Sequence, residues 1–194
     1  MPTEEKRIRR ALMQAAETIA ADEDFTALDL DEVAAVAEVA PEKLQEHVQD
    51  DGQLAFDLAI NVLSQCRDEA LQMEGTTIEK LTYYATGGMQ IMVDSSLEFV
   101  KTWITDMVDE THKRGRDRLI WGWNTIAEII RQGVATGALK EDTPVARMTG
   151  LMIAEYYGIL FLWSVLQGSL NAVEAIRIFC SETFPKFLRP YINP

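Results

Sequence analysis

The side chains able to do chemistry here are few, and their spacing does not assemble a reaction. The only histidines, His47 and His112, fit no HExxH pair; no GxSxG, P-loop or paired-glycine phosphate motif occurs, and Ser95-Ser96 has no base nearby. Cys66 and Cys180 lie far apart with no CxxC or metal spacing, so structural thiols in a reducing, cytoplasmic setting are expected, with no metal and no cofactor. What remains is charge. The bases Lys6, Arg7, Arg9 and Arg10 cluster near the start, whereas Asp22 to Asp57 holds twelve acids against the single base Lys43, a net of −11 out of −13 for the chain. A protein this acidic repels nucleic acid unless its bases are concentrated somewhere.

The elements that must position these charges read as helices throughout. Hydrophobic residues at 47% suit a folded globular chain of 194 residues. No alternating β-branched run bounded by turns suggests a strand. Ile8, Leu12, Ala15, Ala16 and Ile19 form one stripe of a helix over Glu5 to Ala21. Asp29, with Glu32 three residues on, caps a short helix to about Ala37; a turn at Glu38-Val39-Ala40 follows, and Pro41 opens a third short helix to Val48. Gln53 to Met73 predicts a long helix. Thr76 with Glu79 predicts another capping box, opening a helix to Val93, and a further helix covers Ser96 to about Val108. The polar stretch Asp109 to Arg116 then separates it from a helix through Leu119, Trp123, Ile126 and Ile130 that stops at Gly137. Thr143-Pro144 starts the most apolar helix, to about Leu166, and Asn171 with Glu174 caps a last one that Pro185 ends or kinks. Met1 to Arg10 is too polar for a signal peptide, and Leu151 to Leu166, which carries Glu155, is short for a membrane span.

The segment LMQAAETIAADEDFTALDLDEVAAVAEVAPEKLQEHVQDDGQL, Leu12 to Leu54, resembles without a gap the N-terminal head of the TetR/AcrR family. Core positions agree at Leu12, Ala15, Ala16, Ile19, Phe25, Leu30, Val33, Ala34, Ala37, Val39, Leu44, His47, Val48 and Leu54. The stretch GVATGALKEDTPVARMTGLMIAEYYGILFLWSVLQGSL, followed by a helix ending in FLRPYI, is similar to the last two helices of that family. The resemblance implies an all-α protein. It would have a three-helix helix-turn-helix head over residues 1–52 and a C-terminal ligand-binding and dimerisation domain over 53–194. It also implies a regulator without enzymatic activity that binds DNA as a homodimer.

Departures fall on the surface that relatives turn toward DNA. Glu38 stands where the family has a turn glycine, Ala40 where it has a serine or threonine cap, Gln45 where an aromatic touches phosphate, and Asp51 where a lysine meets the backbone. Glu42 and Glu46 sit on the recognition helix itself. Affinity for DNA comes largely from bases that displace phosphate counterions, so only Lys6, Arg7, Arg9, Arg10, Lys43 and His47 would favour it. Two readings stay open: a ligand-responsive DNA-binding regulator, or a TetR-like binding protein that has lost direct DNA recognition and docks a basic partner through its acidic head.

In the second domain, Phe99, Trp103, Met107 and Trp123 are the candidate pocket residues, and they favour a small apolar or weakly polar ligand. The helix from Val145 to Leu166 is apolar nearly all round, which suits burial in a two-fold dimer. Tyr156, Ile159, Leu160 and Trp163 are its candidate interface residues, joined by Ile176 and Phe179 of the last helix.

Overall fold

A computed structural model describes residues 4–20, 29–40, 43, 51–108 and 113–193. Its described helices are α1 (Glu4–Ala20), α2 (Leu30–Val36), α3 (Asp51–Gln72), α4 (Thr77–Asp94), α5 (Leu97–Val108), α6 (Lys113–Ala135), α7 (Val145–Val165), α8 (Ala172–Ile178) and α9 (Phe184–Leu188). Among the described residues there is no strand, only an isolated antiparallel bridge between Leu139 and Ile192. The chain divides into two compact units, Met1–Ser64 with Asp94–Ser96, and Gln65–Val93 with Leu97–Pro194. The division therefore falls inside α3, where Leu58 and Val62 pack with the first unit.

That first unit, the head, closes around Leu12, Ala15 and Ala16 of α1, Val33 and Ala34 of α2 and Leu58 of α3. Small alanines on α1 and α2 let the two helices approach closely, and Ile8, Ile19, Ala37 and Val39 fill the margin. α2 begins where Asp29 accepts hydrogen bonds from the N–H groups of Asp31 (2.7 Å) and Glu32 (3.2 Å). The turn after it runs through Glu38, whose φ of +54° is left-handed, a conformation that glycine adopts without strain and glutamate does not.

The second unit, the body, is held by helix ends that find partners. Thr76 and Glu79 make a reciprocal box: the Thr76 N–H donates to Glu79 Oε2 at 2.7 Å, and the Glu79 N–H donates to Thr76 Oγ1 at 3.2 Å. The Thr76 N–H and the Thr76 hydroxyl, both donating to Glu79 Oε2, hold the Glu79 carboxyl below the usual carboxylate range. At the end of α3, the Leu71 carbonyl accepts from Lys80 Nζ (3.2 Å) and Gln132 Nε2 (3.0 Å), tying α3, α4 and α6 together. Gly137 closes α6 at φ +76°. α6 begins at Lys113, earlier than the polar sequence there suggests, because Gly115 lets its first turn lie against α5: a Cβ at 115 would stand 1.9 Å from the Asp106 carbonyl oxygen. Between α8 and α9, Phe179–Thr183 form a π-helical turn ahead of Pro185.

Candidate functional site

On the head, a hollow of about 400 Å³ is lined by Arg7, Ile8, Ala11, Ala37, Glu38, Val39, Ala40 and Lys43. It brings together two of the six expected DNA-contacting residues, Arg7 and Lys43, both exposed, with Glu38 between them in sequence. Lys6, Arg9 and Arg10 belong to α1, their side chains outside the described part, and His47 lies outside the described residues, as do Glu42, Gln45 and Glu46. Asp29, Asp31 and Glu32 add exposed carboxylates at the start of α2. Two cations beside a helix-turn can meet phosphate, but Glu38 in the same lining opposes that approach, and the three carboxylates at the other end of α2 add to the head's negative charge.

The body holds the apolar chemistry. Phe99 and Trp103 on α5 pack with their rings tilted by 44° at 5.7 Å between centroids, both buried. Met107 is half-buried, and Trp123 is 36% exposed, packing over Gly150 of α7. Phe99 and Trp103 therefore share one cluster, while Trp123 lies on the α6–α7 contact. The unforeseen residue is Arg118. Its guanidinium lies 4.7 Å over the Trp103 ring and 3.1 Å from Asp106 Oδ2, with only 7% of its side chain exposed. Nothing local in the sequence marks it, because Arg118 follows a polar run directly and its partners Trp103 and Asp106 belong to the preceding helix.

Next to this pair is a group of tyrosines. Tyr84 hydrogen-bonds Thr125, and burial pushes its hydroxyl well above the ordinary tyrosine value. Tyr157 is raised by burial, while its hydrogen bond with the Trp103 indole and the nearby Arg118 charge hold it back. Tyr156 is raised by burial, with Tyr157, Tyr84 and Cys66 as electrostatic neighbours. Burial likewise pushes Cys66 up, aided by Glu69, and takes the Cys180 thiol up to about 12, aided by Glu155. Both thiols stay protonated at neutral pH and are poor nucleophiles.

Of the expected partner-facing residues, Ile159, Leu160, Trp163, Ile176 and Phe179 are buried inside the protomer itself, and Tyr156 is half-buried. An all-round apolar helix carries no moment to say which side is inner. The outward side of α7 instead presents Ala154, Glu155, Gly158, Phe161, Leu162 and Val165, with Leu166 exposed just past its end and Ile178 exposed on α8. At 21 residues, α7 is also the one described helix long and apolar enough to cross a membrane by length and composition, longer than the run read from sequence. Its inner face forms part of the body's core.

No family model matches the chain, and no curated protein matches its sequence. Solved structures do. A TetR-family transcriptional regulator from Cytophaga hutchinsonii superposes with a TM-score of 0.61 over 100% of this chain and 99% of its own, at 14% identity. A TetR regulator from Chloroflexus aurantiacus J-10-FL matches at 0.51 over 91% and 95%, with 16% identity. The fold is that of the TetR-family regulators. A protein from Rhodococcus sp. RHA1, provisionally named a transcriptional regulator, matches this TetR-like fold at 0.61, with 12% identity and coverage of 94% and 95%. At such identities the likeness speaks for the fold, and the TetR-like chain's own residues must speak for its ligand and partners.

Proposed function

We propose that this chain is a ligand-responsive transcriptional regulator of TetR type. It binds DNA as a homodimer through its head and holds a small apolar ligand in its body, without enzymatic activity. The observation that carries the reading is the head's basic hollow: Arg7 and Lys43 flank the turn after α2 in a TetR-like fold. The same turn is where a helix-turn-helix head meets phosphate. The outward stripe of α7 supports the dimer, because Gly158 has open space around it and a second helix could cross there closely, with Phe161 and Val165 covered. Ligand would shift the population between two spacings of the paired heads.

The test is fluorescence anisotropy with DNA from upstream of the chain's own gene, titrated with salt. A steep loss of affinity with rising salt supports the reading, and replacing Glu42, Glu46 and Asp51 by neutral residues should then tighten binding. Absence of specific binding, in both the native chain and that variant, sinks it. Glu38 and the exposed acids of α2 favour one second reading: a head that no longer reads DNA and docks a basic protein surface. Dimerisation has its own test. Val165→Glu should turn a dimer into a monomer in sedimentation at micromolar concentration, and a native chain that is already monomeric there refutes the assembly.

A further inference from the structure

The body carries a hollow of its own, of about 290 Å³. One wall is the first turn of α4, at Thr77 and Ile78. Facing it are the turn at Ala138 and Leu139 after α6, Leu188 of α9, and Ile192 with Asn193 beyond it. Every one of these residues belongs to the second unit. The Ile192 wall is anchored by backbone. The Lys140 N–H donates to the Tyr191 carbonyl at 2.8 Å, the Asn193 N–H to the Ala138 carbonyl at 3.1 Å, and Asn193 Nδ2 to the Gly137 carbonyl at 2.8 Å.

One hydroxyl in this lining is left over. Thr82, Thr86, Thr102, Thr105 and Thr125 each donate theirs to the carbonyl four residues back, as helix threonines commonly do. Thr77 is the first residue of α4, so no earlier turn of its helix offers it a carbonyl, and its hydroxyl bonds no described residue. The residue is nonetheless buried, at 6% exposed. Burying a hydroxyl without a partner is costly. The unpartnered Thr149 oxygen is sealed from water, whereas the Thr77 oxygen is not, and the space that Thr77 borders is the hollow. Gly133 of α6 leaves room for it. A Cβ there would stand 2.2 Å from Thr77 Oγ1 and 3.1 Å from Leu139 Cδ1, which sets the oxygen beside the Leu139 wall. At the same turn the N–H groups of Thr77 and Ile78 have no acceptor within α4, so this end of the helix carries partial positive charge.

We propose that this hollow binds a small uncharged molecule, apolar except for one acceptor oxygen, to which the Thr77 hydroxyl donates while Ile78, Leu139, Leu188 and Ile192 cover the rest. Its volume stands at the lower end of small-molecule sites, about 300–1,000 Å³. None of the residues lining it is charged. An anion is disfavoured because Glu79 already holds the positive end of α4, accepting from the Thr76 N–H and hydroxyl, and a second carboxylate beside it would be repelled. The proposal goes beyond the ligand reading above, since none of Phe99, Trp103, Met107 and Trp123 borders this space.

The test is a titration of the isotope-labelled full chain at neutral pH, followed by amide NMR, with acetophenone, toluene and benzoate. Acetophenone should saturably shift the Thr77, Ile78, Leu139 and Asn193 signals and bind about threefold to tenfold more tightly than toluene, the worth of one neutral hydrogen bond. Benzoate at the same concentration should leave these signals in place. Thr77→Val, nearly isosteric, should weaken acetophenone about threefold to tenfold and leave toluene unchanged, and Thr77→Ser should restore the ketone. A merely structural Thr77 would move both probes alike. Ala138→Trp, at an exposed position of the lining, should fill the hollow and abolish both, which keeps the test decisive if Thr77→Val fails to fold. Overturning results are no saturable shift up to the solubility of acetophenone, shifts that miss these residues, benzoate binding as well as the ketone, or an indifferent Ala138→Trp. Equal loss of both probes in Thr77→Val overturns it too. No DNA enters the measurement, so a chain that binds acetophenone and no DNA sinks the regulator reading alone, and one that binds DNA and no probe sinks this proposal alone.

Discussion

Replacing Glu38 by glycine should stabilise the protein. Glu38 sits at φ +54° and its side chain is exposed, so no packing is lost with it. The bonds that define the turn are made by backbone: the Glu38 N–H donates to the Ala35 carbonyl at 3.2 Å and the Val39 N–H to the Ala34 carbonyl at 2.9 Å. Left-handed backbone at a residue with a Cβ costs about 1–2 kcal/mol, which glycine relieves. Against this, glycine gives the unfolded chain more freedom, worth about 0.5–1 kcal/mol. The difference leaves about 0.5–1 kcal/mol in favour of Glu38→Gly, or about 1–4 °C in melting temperature for a chain of this length. Thermal unfolding followed by circular dichroism measures it, with Glu38→Ala as the control. Alanine removes the same charge and keeps the strain, so its melting point should lie within about 1 °C of the native one. A glycine variant no more stable than the alanine variant would refute the account of this turn.

Gly115→Ala should be severely destabilising, by about 3 kcal/mol or more in urea unfolding, because its Cβ would lie 1.9 Å from a backbone oxygen that has no side-chain freedom to move. Asp106→Ala should lose about 3 kcal/mol by leaving Arg118 buried without its counter-charge, and the double change Asp106→Leu with Arg118→Met should recover most of the loss in the same assay. Thr76→Ala should cost about 1 kcal/mol by opening the cap of α4. The Glu79 carboxyl is depressed in the folded chain, so the stability it brings is present above the ordinary carboxylate value. It is lost as pH falls through the lower, folded value. Urea melts across acid pH should therefore show a smaller acid-induced loss for Glu79→Gln than for the native chain.

How much of this could be read from the sequence varies by element, for physical reasons. The α1 stripe of Leu12, Ala15 and Ala16 proved to be core because polar residues mark its other side. Asp29, Thr76 and Asn171 each cap a helix as their spacing implies, since capping is local chemistry written within four residues. α7 gave no such guide. With apolar residues all round, its sequence could not say that Ile159, Leu160 and Trp163 turn inward while Phe161, Leu162 and Val165 turn out. The candidate site suffered in the same way: aromatic type pointed to Trp123, which lies at the surface edge of a helix contact, and passed over Tyr84, while Tyr156 stood among the interface candidates. Their significance is a matter of what surrounds them. Arg118 was hidden because burial of a cation depends on Trp103 and Asp106, distant by more than ten positions.

The π-helical turn at Phe179–Thr183 bears on how this protein can change over evolutionary time. Ile176, Cys180, Phe184 and Leu188 all face the core, each four residues from the last. In an uninterrupted α-helix such a row drifts by about 40° at every step and would wander off the interior by its end. One wider loop of backbone absorbs that drift and keeps the row in line. Exchanges at the exposed Ser181 or Glu182 should pass unnoticed, whereas deleting either would rotate Phe184 and Leu188 out of register. The segment can drift in letter but not in length.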